Sequence, residues 1–585
     1  MMRLVYLFYC SLLLIHLFAC EDDNRLIGDS GGYFYNTSGF CISGIQVDCF
    51  CDDGSQGIQI CRADTRTFGE CQCPGYGGEG IAIDAASGPS GPSNDIPSDA
   101  GDERAHSPAD GSDGNLNDTP QGGTGETGVV PPPQIAYASG IRIRELAIYQ
   151  GPKIPLVISG QDVDTRNAPV VIGREAMLRV FVEPLGGWQT RTIRAELHLE
   201  SKTSRVESQE VTQNISGASR EEAMDTTINF RIPGEQIVAD LRYAVSLLEM
   251  AGTTPVTSPD QDVRWPRQEE TTFDLSARNA GPVFLMLVPY RYLADGSGRI
   301  PSTSDENLET YKGYITEHYP ITQLELSVHE PVDYSGRITS NTGWEAWLDF
   351  HCAFRDSEQP DPKLVYYGLL NPADTFRQYG GGVAGVSYVP TPSSNIRCSV
   401  GLGFGDRLSA TTMTHEVGHS FGLEHAPCGV DGGPFPYADA KMGTWAYVMT
   451  LETLLDPNIY YDMMSYCEPT FISDYNYQRL FQRIRYLNMQ FMRIPSPDVT
   501  YHRVLMDREG NLSYRGTTTR QQLYAEEEPT RPVELFDEQG RSLGKQYAFW
   551  MPFSLEPAGV FLLPEQHVEV RAIQIDGTKQ KVVLP

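Results

Sequence analysis

Short stretches in which apolar and polar residues alternate mark the point where order begins in this chain. Ile141-Arg142-Ile143-Arg144, Leu178 to Val182, Ala195 to Leu199 and Tyr243 to Leu247 each put every second side chain on one face, the period of a half-buried strand. With turn residues between them they predict a β-sandwich-like domain over about 135–275. The pattern then changes. Val283 to Val288 is a continuous apolar run, as a strand covered on both faces would be. Leu308, Tyr311, Ile315 and Tyr319 recur at helical spacing over 304–319, and Thr303 with Glu306 is spaced like a capping box. Leu324 to Val328, Leu364 to Leu370 and a glycine-rich run from Gly382 to Val389 read as further strands. Ala410, Met413, Val417 and Phe421 lie on one face of a helix starting near Ser409, and Tyr477, Leu480, Phe481, Ile484, Leu487 and Phe491 on one face of a helix over 474–493. Strands mixed with helices predict an α+β domain over 276–494. From 495 to 585 the chain is strand-like again, with Val568 to Ala572 alternating and Asp576-Gly577 marking a hairpin turn.

The ends of this pattern are as informative as its middle. The first 19 residues hold one early cation, Arg3, then an apolar run from Leu4 to Ala19, the form of a signal peptide. Leu17-Phe18-Ala19-Cys20 resembles a bacterial lipobox, which implies cleavage before Cys20 and a lipid on its sulfur; a plain secretory signal is the alternative. Six cysteines, Cys41, Cys49, Cys51, Cys61, Cys71 and Cys73, crowd a module over 20–74. So short a piece cannot bury a sufficient core, and in an exported chain it reads as disulfide-stapled, with a metal cluster the weaker alternative. Residues 75–134 are rich in Gly, Ser, Asp and Pro with almost no aromatics, the composition of a tether.

Size and charge narrow the function. The 585 residues allow roughly three or four domains. A formal net charge of −31 argues against nucleic acid and against anionic membrane surfaces, which need clustered Lys and Arg. Carboxylates could bind Ca2+, but no spacing places such a site. Membrane attachment is expected only through a lipid on Cys20, which would put the chain on a bacterial surface or outer membrane; otherwise it is secreted.

The chemistry lies in THEVGHSFGLEH, residues 414–425. His415 and His419, four apart on a helix, stand one above the other and can both reach one Zn2+. Glu416 then lies beside the metal, placed to take a proton from a water held there. Gly422 can adopt the positive φ that ends a helix, and His425 beyond it completes three ligands with one position open, the pattern of a single catalytic zinc. A helix with ordinary surface histidines is the bland alternative; five residues at fixed offsets in a chain with only 11 His argue against it.

His415, Glu416, His419, Gly422 and His425 resemble the H-E-x-x-H-x-x-G-x-x-H motif of the metzincin clan of zinc endopeptidases. That resemblance implies a metzincin-like catalytic domain with a mixed sheet and an active-site helix, here flanked by the β-sandwich-like domains. It further implies a methionine turn beneath the metal, which Met464 of Tyr461-Asp462-Met463-Met464-Ser465-Tyr466 fits, and a role for Tyr466 as metal ligand and oxyanion stabiliser. A packed tyrosine supporting the turn is the other reading of Tyr466. The run Gly382–Val389 resembles the metzincin edge strand, on which a substrate peptide lies extended. Ala426, after the third histidine, departs from the best-known branches, so the resemblance leaves the substrate class open. Cys428 and Cys467 flank segments that must meet near the metal, and a bond between them would pin the two; Cys352 and Cys398 could form another. A free thiol ligating the metal is the alternative. The expected activity is therefore zinc-dependent hydrolysis of peptide bonds in extracellular proteins or glycoproteins. An adhesin with an inactive metal site and a zinc hydrolase of non-peptide bonds are the rival readings.

Overall fold

The computed structural model describes 136–250, 262–268, 271–391, 396–489, 497–523, 529–565 and 570–585, and the backbone of 46–50 and 56–60. Gln46–Phe50 and Gln56–Ile60 pair as an antiparallel ribbon in a unit separate from the rest. The signal segment, the lipobox cysteine Cys20, the pairing of the six clustered cysteines and the tether lie outside the described residues. Among the described residues no helix is long and apolar enough to cross a membrane.

The central sheet is mixed. β1 (Val283–Tyr292) lies between β2 (Leu324–Val328) and β3 (Leu364–Leu370), both parallel to it. β4 (Gly385–Ser387) is the edge strand, antiparallel to β5 (Cys398–Leu402), which is parallel to β3. The helices are α1 (Asp305–His318), α2 (Trp344–Glu358), α3 (Arg407–Ser420) and α4 (Asp474–Met489). Successive residues of β5 serve opposite faces. Val400 and Leu402 join the core that holds Trp344, Trp347 and Leu348 of α2, while the Ser399 hydroxyl accepts from Ser420 at the end of α3. The sheet thus holds α3, and every residue on it, against one face.

Two details depart from the sequence expectation. The cap of α1 falls one residue later than the Thr303–Glu306 box. Ser304 accepts from the Asn307 N–H, which puts Asp305 and Glu306 in the first turn against the positive end of the helix. The run Gly382–Val389 is strand only over β4; Gly382 takes positive φ, as do Gly380 and Gly381 before it, and turns the chain instead of extending it. The expected helix over 474–493 is observed as Asp474–Met489, its end with Phe491 lying outside the described residues, and Gly577 turns the hairpin between Ala572–Ile575 and Lys581–Val583. The alternating run at 568–572 lies partly outside the described residues; the strand begins at Ala572.

All-β layers lie on both sides in sequence. Residues 136–275 supply one antiparallel sheet centred on Arg191–Glu200 and Arg242–Leu248, and most of another centred on Ile141–Tyr149 and Ala176–Pro184. The second sheet is extended by Ala446–Val448 and Thr453–Leu455, drawn from the long loop after His425, with Tyr447 packed against Ala147, Tyr149 and Phe181. Arg174 also reaches the end of α1, donating to the Glu317 and Tyr319 carbonyls at 2.8 Å and satisfying groups the helix leaves unpaired.

Residues 498–583 form a seven-stranded antiparallel sheet that shares a core with the central one: Tyr501, Phe549, Met551, Phe553 and Val560 pack with Val386, Tyr388 and Trp347. Buried ion pairs add to the contact. Asp349 of α2 accepts from Arg503 at 3.1 Å and Arg515 at 3.4 Å, and Asp356 accepts from Arg520 and Thr518. Asp349→Ala would strand Arg503 without its partner in a low-dielectric contact, and is expected to destabilise the chain by about 3 kcal/mol, read from the urea midpoint.

Two buried histidines set an acid limit. Burial pushes His318 of α1 and His351 of α2 from 6.5 down to about 4. Their folded pKa lies below the unfolded one, so their neutral form stabilises the fold above pH 6.5. That stability is lost as pH falls from 6.5 to 4, at roughly 3 kcal/mol for each histidine. The urea midpoint is expected to fall across this window, and less steeply in His318→Phe.

Candidate active site

Helix α3 is built to hold its polar residues inside. Asp406 caps it, its Oδ1 accepting from the Ser409 N–H at 2.8 Å. Ala410, Met413 and Val417 are fully buried, and the Tyr319 hydroxyl donates to the Thr414 carbonyl at 2.7 Å. Gly422, at φ 84°, ends the helix, and a side chain there would press on the Pro390 carbonyl. The chain then returns, and His425 meets the two helical histidines.

The three rings converge through one nitrogen each. His415 Nδ1 donates to the Met463 carbonyl at 2.8 Å and His419 Nδ1 to the Leu423 carbonyl at 2.7 Å, which leaves both Nε2 atoms as bare acceptors. His419 Nε2 lies 3.1 Å from the Nε2 of His415 and 3.1 Å from that of His425. Lone pairs so close repel one another unless a cation lies among them. The spacing suits ligands of one tetrahedral Zn2+, whose nitrogens at about 2.0–2.1 Å from the ion would stand roughly 3.3 Å apart. Burial pushes His415 down to about 4 and His425 to about 3, and it pushes His419 well below its ordinary value, helped by the two neighbouring rings. All three are therefore neutral, the form a metal requires, at physiological pH.

Glu416 lies beside the triad, buried against β4. A side chain on Gly385 would overlap Glu416 Cγ and Oε1, so the carboxylate occupies the space this glycine leaves. Burial pushes its carboxyl well above the usual carboxylate range, opposed by the Ser554 hydroxyl. A cleft of about 670 Å3 opens on the site, lined by His419, His425, Phe421, Arg479, Val389 and Ser554 among others.

Comparison with known proteins agrees with this geometry. The Peptidase M66 family model matches residues 393–483, and the M12B reprolysin-like metallopeptidase model matches 328–426. Dictomallein-1 of Dictyostelium discoideum is 34% identical over 79 residues, 13% of this chain and 13% of its own length. Two metallopeptidase families thus meet on the segment that brings three histidines to one point. This is a metzincin-type zinc metallopeptidase domain.

The rest of the metzincin-type site is assembled from the segment after His425. Met464 is fully buried, and its sulfur lies where a side chain on Gly418 would be, so the turn packs directly on the helix backbone one residue before His419. Its carbonyl accepts from Ala426, the residue next to the third histidine, at 2.9 Å. The ring of Tyr466 stands 5.0 Å from that of His425 and 5.8 Å from that of His415, and its hydroxyl is held protonated by burial and by the Glu416 charge. Cys428 is bonded to Cys467, and Cys352 to Cys398. The first bond ties the His425 loop to the methionine turn; the second ties α2 to β5. None of these four thiols is free for a metal.

Two participants escaped the sequence reading. Asp462 is buried and anchors the turn: Oδ1 accepts from Met464 N–H and from Asn476 of α4, each at 2.8 Å, and Oδ2 from Ser473 N–H at 2.9 Å. Its place two residues before Met464 was the only available signal. Ser554, whose hydroxyl lies 3.5 Å from Glu416 Oε2, comes from 138 residues away with no motif around it.

Proposed function

We propose that this protein is an exported, zinc-dependent endopeptidase that hydrolyses peptide bonds of extracellular proteins, glycoproteins among them. The observation that carries the reading is the convergence of three neutral imidazole nitrogens beside a buried glutamate. His415, His419 and His425 would hold the ion. A bound Zn2+ supplies Lewis acidity toward the scissile carbonyl and makes its water a nucleophile near neutral pH. Glu416 acts as general base, taking the proton of the attacking water and delivering it to the leaving amine. Its burial favours that exchange, because a carboxylate with a raised pKa gives and takes protons nearer neutrality. Tyr466 holds a phenolic proton that can be donated to the developing oxyanion. Met464 gives His415 and His419 an apolar floor.

In this reading Cys20 carries the lipid, residues 20–74 and 75–134 are a stapled module and a tether, and the regions 135–275 and 495–585 act as β-sandwich-like domains bracing 276–494. The strongly acidic chain takes no nucleic acid. The test is digestion of secreted proteins and glycoproteins by the purified chain, with new N-termini sequenced. Fragments that vanish on chelation support the reading; intact substrates across the panel, with zinc bound, would remove it.

A further inference from the structure

The edge of β4 is already paired by the chain itself. β6 (Ser542–Pro552) and β7 (Gly559–Pro564) form a hairpin of the C-terminal sheet, and its tip, residues 553–558, reaches the catalytic cleft. The Ser554 N–H donates to the Ser387 carbonyl at 2.7 Å, and the Val389 N–H donates to the Pro552 carbonyl at 3.1 Å. The Ser387 N–H donates to the Ser554 hydroxyl at 3.1 Å. Tyr388 and Phe553 form an antiparallel bridge, with their rings edge to face at 4.7 Å. The tip thus runs beside β4 as an added strand, the arrangement a bound peptide would otherwise make.

This tip is not built to leave. Phe553 and Ala558 are each 1% exposed and belong to the core shared with Val386, Tyr388 and Trp347. The sheet behind them is held by the Asp349 and Asp356 ion pairs. Withdrawing the tip would expose an aromatic side chain and break three hydrogen bonds at once.

We propose that the β6–β7 tip is a specificity-determining wall of the cleft. It permanently takes the outward hydrogen-bonding positions of Ser387 and Val389, so that a substrate peptide pairs with β4 only at Gly385. Recognition on the Val389 side then stops short, and selectivity comes from the other half of the cleft. The inference rests on the peptidase reading and adds a direction to it.

The test uses the zinc-loaded full chain in two measurements. Amide hydrogen exchange at Ser387, Val389 and Ser554 is followed with and without a saturating peptide hydroxamate. A nested set of peptides, lengthened one residue at a time on either side of a cleaved bond, gives kcat/KM. Slow exchange at all three amides in both states is expected. Lengthening beyond the first residue should change kcat/KM less than about twofold on one side and raise it about tenfold or more on the other. Fast exchange at Ser387 and Val389 in the free chain, release of Ser554 on ligand binding, or a gain of about tenfold on both sides would each overturn the wall. Slow amides with no peptide cleaved would instead overturn the peptidase reading, and the specificity role with it, while the strand pairing stood.

Discussion

Glu416→Ala is expected to lower kcat by about 10²–10⁴-fold while zinc content stays at one ion per chain. The reason is a division of labour visible in the site. The converging nitrogens belong to His415, His419 and His425, whose mutual contacts do not involve the glutamate. Glu416 instead lies against Gly385 and near Ser554, on the side of the edge strand. Removing its carboxyl deletes proton transfer and leaves the metal donors in place. KM should change little, because the alanine opens space beside β4 without altering the cleft walls. Loss of zinc together with activity would show that Glu416 is a ligand or a fold determinant and not a base. Metal analysis and steady-state kinetics on the same preparation separate the two.

His419→Ala should have the larger effect on the folded chain. His419 is the central member of the triad, with its Nε2 3.1 Å from both partners and its Nδ1 fixed on the Leu423 carbonyl. Its loss leaves only two donors, His415 and His425, one fewer than a catalytic zinc site takes. Zinc should be absent after dialysis, and cleavage should fall to background. A further signature follows from linkage. An ion that binds only the folded state at a thousand times its Kd stabilises by about 4 kcal/mol, so chelation should lower the melting temperature of the parent. The variant should start near the chelated parent and fail to respond to chelator or to added zinc. A variant that still melts lower on chelation would place the ion elsewhere.

The parts of this molecule that could be read from sequence are those where the signal is local. The offsets of His415, Glu416, His419, Gly422 and His425 are a helix period followed by a glycine turn, and such geometry is fixed within a dozen residues. Val283 to Val288 and Leu364–Leu370 could be read because strands covered on both faces run as continuous apolar stretches. Three features could not be read, each for a physical reason. The cap of α1 involved two adjacent hydroxyls, Thr303 and Ser304, and where the chain bends decides between them. Gly382 opens the glycine-rich run with the dihedrals of a turn and not of a strand, a difference that a residue without a side chain does not record. The strands Ala446–Val448 and Thr453–Leu455 are short; the first pairs with a distant edge, Gly151–Pro152, and the second with the first. Ser554 is the extreme case. A hairpin tip shows no chemical pattern, and its place beside Glu416 follows from packing between Phe553, Tyr388 and the rest of a core contributed by both sheets.

The most direct measurement is mass-spectrometric profiling of a diverse synthetic peptide library incubated with the purified chain in three states: as isolated, stripped of metal with a chelator, and stripped then restored with one equivalent of Zn2+. The account predicts internal peptide-bond cleavage in the first state, none in the second, and the same cut sites in the third. Cleavage that persists at full rate in the stripped chain, or a zinc-restored chain that leaves the whole library intact, would contradict it.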